Sequence, residues 1–163
     1  IWTVPLDGDR NPVPIVQTPF NERLAQFSPD GRWIAYESNE SGRYEIYVQA
    51  FGGPNEKIRG SVPVSANGGA QVRWRPDGKA LFYLALDDRL MTVPIGPSNG
   101  QALELGAPVL LFVARVVGGA LQEFPRHQYS VTPDGQRFLM NVERGEAAPS
   151  PISVVLNWTG RGR

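Results

Sequence analysis

The 163-residue chain contains no cysteine and a single histidine, His127. Without cysteine, disulfides, zinc–thiolate centres and thiol nucleophiles are excluded. With one histidine and no cysteine, a transition-metal centre lacks its usual donors. Lys and Arg number 16, as do Asp and Glu, and no basic run occurs. A nucleic-acid partner or an anionic membrane surface therefore has no electrostatic footprint here, and Arg161 and Arg163 read as a solvated tail. Long apolar runs are missing too: Pro108-Val109-Leu110-Leu111-Phe112-Val113-Ala114 is strand-sized, far short of the roughly 20 residues of a membrane span. Absent as well are a visible signal peptide and any helical stripe of ten residues, and Gly118-Gly119 interrupts the least regular stretch, Val116 to Arg126. The opening Ile1-Trp2-Thr3-Val4 reads as the interior of a strand, so a fragment of a longer protein is expected. The lack of cysteine suits an exported protein as well as a cytoplasmic one and leaves the compartment open.

What the chain has is punctuation. Eighteen glycines and 15 prolines fall between short apolar runs, the pattern of many strands joined by turns. One triplet recurs: Pro29-Asp30-Gly31, Pro76-Asp77-Gly78 and Pro133-Asp134-Gly135. Its flanks recur with it. Ahead stand Ala25-Gln26-Phe27-Ser28, Val72-Arg73-Trp74-Arg75 and Tyr129-Ser130-Val131-Thr132; behind stand Trp33-Ile34-Ala35-Tyr36, Ala80-Leu81-Phe82-Tyr83 and Arg137-Phe138-Leu139-Met140. Proline presets φ near −65°, aspartate accepts nearby backbone amides, and glycine accepts positive φ, so each unit reads as strand, turn, strand. The nine triplet residues are assigned to turns rather than to chemistry.

A third strand follows each hairpin, at Tyr44 to Phe51, Arg89 to Ile95 and Ile152 to Trp158, and Ile1 to Leu6 belongs to the same class. A fourth fits Pro14 to Thr18, Gly60 to Ser65 and Ala107 to Val113. The triplets are spaced by 47 and 57 residues, against roughly 40–50 for propeller repeats. The surplus falls near Gly96 to Gly106 and Arg115 to Arg126, where functional loops are expected.

"FSPDGRWIAYESN", "WRPDGKALFYLA" and "SVTPDGQRFLMN" resemble the WD-like propeller repeats of the TolB family, across nearly the whole chain. "SNESGRYEIYVQAF" and "PISVVLNW" look more like C-terminal propeller regions of bacterial multidomain sensor or signalling proteins. The resemblance implies an all-β fold, a partial β-propeller of about three and a half four-stranded antiparallel blades. As one domain, 1–163, it would comprise the third and fourth strands of a blade (1–20), two full blades (21–66 and 67–114) and a final incomplete blade (115–163). The implied role is a non-catalytic module that binds a protein or small ligand, with no cofactor, nucleic acid or membrane insertion. TolB is periplasmic, which favours an extracytoplasmic site, with the cytoplasm as the alternative. An open arc leaves apolar faces bare, so the missing blades of a parent chain or a second copy would complete the ring. Two further readings are an accessory or partial propeller domain of a hydrolase, peptidase or lyase, and a self-assembling structural module.

The candidate chemistry is thin. His127 has no G-x-S-x-G elbow to serve and reads as a polar residue at the start of a strand. Leu6-Asp7-Gly8-Asp9-Arg10-Asn11 lacks the spacing and distal glutamate of a calcium loop and reads as a hairpin, as does Asp87-Asp88-Arg89. Trp33, Tyr36, Trp74, Phe82 and Tyr83 recur in step with the repeat and are expected in the core, while Tyr44 or Tyr47, if exposed, would meet a partner. Glu37, Asn39, Glu40, Arg43 and Arg75 are expected on solvated surface or along a rim.

Overall fold

In a computed structural model, residues 1–52, 60–97 and 102–143 are described. The expected strand from Ile152 to Trp158 and the Arg161–Arg163 tail lie outside them. The described residues form strands and no helix. Strands β1 (Trp2–Thr3) and β2 (Val13–Pro14) make a two-stranded sheet; β3 (Glu22–Phe27), β4 (Trp33–Ser38), β5 (Glu45–Ala50) and β6 (Val62–Pro63) make a four-stranded one. A second four-stranded sheet holds β7 (Ala70–Trp74), β8 (Ala80–Leu84), β9 (Arg89–Pro94) and β10 (Val109–Val113), and β11 (Tyr129–Val131) pairs with β12 (Phe138–Met140). All pairings are antiparallel, and each sheet runs in chain order.

The sheets lie against one another face to face, which explains why the middle strands read as unbroken apolar runs. All six residues of β4 and all five of β8 are buried. Parity sorts them. Trp33 and Ala35 join Val72, Trp74, Leu81, Tyr83 and Val93 in a core between the two large sheets. Ile34 and Tyr36 instead meet Ile15, Val16 and Tyr47 towards the first sheet. On the far side, Phe82 and Leu84 pack with Val116, Tyr129, Phe138 and Met140 towards the last. At about 1.5–3 kcal/mol for each large apolar side chain withdrawn from water, these three cores hold the stack together.

The short hairpin at the start deviates from expectation. Its second strand is Val13–Pro14 rather than Pro14 to Thr18, and beyond it the Ile15 and Val16 amides both reach the Ile1 carbonyl, at 2.9 and 3.2 Å. The cause is Pro14: it has no amide to donate, so the regular ladder ends there.

Candidate functional site

The three triplets adopt one geometry. The Gly31, Gly78 and Gly135 amides donate to the carbonyls of Ser28, Arg75 and Thr132 at 2.9, 2.8 and 2.9 Å, and the glycines take φ of +71°, +74° and +71°. Each aspartate accepts the amide two residues on: Arg32 to Asp30 (3.1 Å), Lys79 to Asp77 (3.0 Å) and Gln136 to Asp134 (3.0 Å). The side chain before the proline closes the loop, through the Ser28 and Thr132 hydroxyls and the Arg75 guanidinium. Burial works against the Asp30 charge, but the Ser28 and Arg32 hydrogen bonds outweigh it and hold the carboxyl below its ordinary range. Arg75 lowers Asp77 to about 2, and the Thr132 hydroxyl lowers Asp134. Carboxylates so fully engaged are poor proton acceptors. Between the first two turns lies a cleft of about 350 Å3 floored by Trp33 and Trp74.

A second polar region runs along the first strands of the sheets, β3, β7 and β11. It begins with a pair of bulges. The ladder slips between Arg23 and Gln26 and again between Ala70 and Arg73, and Leu24 and Gln71, each five residues before its triplet, take φ of +51° and +57°. The bulge at Gln71 frees its amide from the ladder, and Glu37 of β4 accepts it. The other carboxylate oxygen of Glu37 accepts Arg23 Nε at 2.7 Å. Burial pushes the Glu37 carboxyl up, opposed by those two donors.

From there the hydrogen bonds cross to the last sheet. Gln71 Nε2 donates to the Ala120 carbonyl (2.8 Å), and its Oε1 accepts the Gln128 amide (2.7 Å). Gln128 in turn donates to the Val117 carbonyl (3.0 Å) and accepts Asn141 Nδ2 (3.0 Å). A buried polar chain of this kind fixes the register of three sheets at once. Arg23 also donates to the Gln122 carbonyl (3.3 Å) and lies 3.9 Å over the Tyr44 ring.

Beside this chain, three sheets contribute one group each. The Gln26 and His127 side-chain nitrogens meet at 3.0 Å, and Arg73 Nε donates to the Tyr129 carbonyl at 3.2 Å. Burial, then the nearby Arg73 charge, lowers His127 to about 4, so its ring is neutral near pH 7. Burial, aided by the Glu37 charge and opposed by that of Arg73, carries the Tyr129 hydroxyl well above its ordinary value.

Several expected positions change meaning. Glu37 was expected on the surface and is wholly buried, because β4 is covered on both faces and Arg23 and the Gln71 amide meet its carboxylate there. Arg43 pairs with the buried Glu45 at 2.9 Å, Asn39 accepts the Asn21 amide at 2.8 Å, and the Glu40 amide donates to Ser38 Oγ at 3.2 Å. Arg75 belongs to the second triplet's turn. Tyr47 is buried, its ring 6.0 Å from that of Tyr36, which leaves Tyr44, under Arg23, half-exposed. The five core aromatics Trp33, Tyr36, Trp74, Phe82 and Tyr83 are buried. Leu6 to Asn11 links β1 to β2, and Asp87 pairs with Arg89 at 3.2 Å in the turn before β9. Sequence reasoning missed the Arg23–Glu37–Gln71–Gln128 chain; its one available signal was a glutamate directly continuing the apolar run Trp33-Ile34-Ala35-Tyr36.

No protein-family model matches the chain, and no curated protein does. Among solved structures it is similar to a protein of Bacteroides uniformis ATCC 8492 provisionally named 6-phosphogluconolactonase, with a TM-score of 0.51 at 19% identity. The match covers 85% of this chain and 39% of that one, so the chain spans about two-fifths of its length. At that identity the likeness concerns the fold alone.

Proposed function

We propose that the chain is an arc of a β-propeller acting as a non-catalytic binding module, in which the stacked sheets are blades and further sheets of the same kind cover both ends. One observation carries this reading. Counting from each triplet, Ala35, Phe82 and Leu139 occupy the same place; the first two are 0% and 4% exposed, but Leu139 is 78% exposed. At the other end, Trp2 and Val4 match Met91 and Val93; Val93 is 0% exposed, whereas Trp2 is 58% and Val4 53% exposed. These three bare side chains lie on or beside the first and last sheets, at positions whose equivalents in the middle sheets are buried or half-buried. Apolar faces of this kind call for a covering layer.

Recognition then falls to the inner edge, where β3, β7 and β11 present their polar groups. The resemblance to C-terminal propeller regions of bacterial sensor proteins supports a signalling partner, and the resemblance to TolB supports an extracytoplasmic one. Against catalysis stands the chemistry of the groups present. Glu37 is held by two donors, the triplet aspartates are engaged in their turns, and His127 is neutral and bonded to Gln26. A general base must reach a substrate proton. Turnover of a six-membered sugar lactone by this chain, abolished in H127A, would sink the module reading.

The bare ends also favour a second reading, in which copies of the chain cover one another and close a ring. Light scattering across a concentration range separates the two. A concentration-dependent rise to twice the monomer mass supports closure between copies; a monomer throughout assigns the cover to other sheets of a longer chain.

A further inference from the structure

We propose that Arg73, with Gln26 and His127 beside it, is a recognition point for a carboxylate on the inner edge of the sheet stack. The inference deepens the binding-module reading and rests on it, since it takes that edge as the recognition surface.

Arg73 is a half-buried cation without a counter-ion among the described residues. Among the described residues, Arg23, Arg32, Arg43, Arg75 and Arg89 each hold a carboxylate within 3.2 Å. Arg73 holds none, although it is half-buried, and burial lowers its affinity for its proton. A guanidinium partly withdrawn from water without an anion is a standing electrostatic cost. Its one hydrogen bond, Nε to the Tyr129 carbonyl at 3.2 Å, fixes the plane of the group and leaves both Nη donors for another acceptor. Arg73 directly follows the slip in the β7–β8 ladder, and its Nε reaches from β7 to the carbonyl of Tyr129 in β11.

The surroundings select the ligand. Gln26 arrives from β3 and His127 from the approach to β11, meeting at 3.0 Å, and His127 Nδ1 is shielded from solvent with no hydrogen-bond partner among the described residues. These groups are neutral, so the site offers one positive charge, a flat two-pronged donor and polar neighbours. A planar monoanion matches that set, since a carboxylate accepts two parallel N–H bonds from one guanidinium edge. A phosphate dianion would keep a charge uncompensated. The carboxylate belongs either to a small free acid or to an acidic side chain of a partner polypeptide, and the chemistry at Arg73 is the same for both.

His127 is the only histidine, so its imidazole resonances in a 13C-labelled chain report on the site without assignment. The experiment titrates sodium acetate, then the tripeptide acetyl-Gly-Glu-Gly-amide, at pH 7 and constant ionic strength held with sodium chloride. The expected result is a saturable shift of the His127 signals. Its apparent Kd rises at least tenfold in R73Q and several-fold in R73K, which keeps the charge and loses the fork. If R73Q does not fold, R73K and Q26L carry the test, and Q26L should also weaken binding. Tripeptide binding at least tenfold tighter than acetate supports the site with a polypeptide as source; equal binding supports it with a small acid. A shift that never saturates, one unchanged in R73K and Q26L, or tighter binding of inorganic phosphate than of acetate overturns the proposal. Its failure is distinct from failure of the module reading, which lactone turnover decides independently of any acetate titration.

Discussion

Gly135 of the third turn lies against Arg75 of the second: a Cβ at Gly135 would stand 2.6 Å from Arg75 Cδ and 2.9 Å from its Cγ. Arg75 is at the same time bound to Asp77 through both carboxylate oxygens, at 2.6 and 2.5 Å. One turn thus seats the side chain that closes its neighbour. At this junction the third triplet fastens adjacent sheets as well as turning the chain.

Alanine at the three triplet glycines separates these two roles. Each substitution forces an alanine into positive φ, a strain of about 1–2 kcal/mol. At Gly31 and Gly78 nothing lies within 4 Å of the new methyl, so strain is the whole cost. At Gly135 the methyl also drives Arg75 away from Asp77. G135A should therefore be the most destabilised of the three in urea melts, and only there should the Asp77 carboxyl rise from about 2 towards its ordinary value.

The triplet aspartates should tolerate asparagine and resent alanine. Asp134 uses Oδ1 for both Thr132 Oγ and the Gln136 amide, and an asparagine oxygen can take the same two bonds. D134N should leave the denaturant midpoint nearly unchanged and D134A should lower it, since alanine removes the acceptor of both bonds. Denaturant midpoints check this. Neither change should move the His127 resonances.

The turns and strands were legible because their causes are local. Proline, aspartate and glycine carry their own φ preferences, and the flanking apolar runs mark strands without reference to anything distant. The bulges of β3 and β7 were not legible. Leu24 and Gln71 have no intrinsic preference for positive φ, and only the packing of β3 and β7 between other sheets puts them there. The burial of Glu37 fell between these cases. Its charge suggested surface, yet it continues the apolar run of β4, and a strand covered on both faces buries every position whatever its parity. His127 read as an unremarkable strand start, because its neighbours Gln26 and Arg73 are 101 and 54 positions away in sequence.

Glu37 should be one of the costliest polar positions to alter. Its two oxygens accept two different donors, Arg23 and the Gln71 amide. A glutamine offers one acceptor and one amino group, so E37Q sets a donor against a donor and leaves Arg23 without its counter-charge. Breaking a buried pair in this way costs about 3–5 kcal/mol. Thermal unfolding should register it, and exchange protection at the Gln71 amide should fall with it.

Acid should destabilise the fold through His127 before the triplet aspartates titrate. The ring binds its proton at about 4 in the folded chain and near its ordinary 6.5 when unfolded. A depressed histidine pKa means the unfolded state binds more protons, so its contribution is complete above about 6.5 and is lost as pH falls towards 4. At about 1.4 kcal/mol per pH unit the ceiling is about 3 kcal/mol, and partial solvent access to the ring reduces it to about half that. Urea midpoints at pH 7 and pH 4.5 measure the loss, and H127Q should flatten that part of the profile.

Phe82 and Leu139 supply the sharpest test of the arc, because they are one position of the repeat in two environments. Phe82 is 4% exposed, with its ring 5.0 Å from that of Phe138 across the sheets, whereas Leu139 is 78% exposed. F82A should cost about 3–5 kcal/mol, as cavity-forming changes do, at any protein concentration. L139K should leave the stability of a lone chain within about 0.5 kcal/mol, since surface changes away from special features act weakly. Its effect should appear where a second layer lies on that face. If copies cover one another, L139K shifts the mass measured by light scattering from dimer to monomer, because a lysine ammonium would have to be buried among apolar side chains. A wild-type dimer unmoved by L139K would place the contact elsewhere and remove this face from the ring.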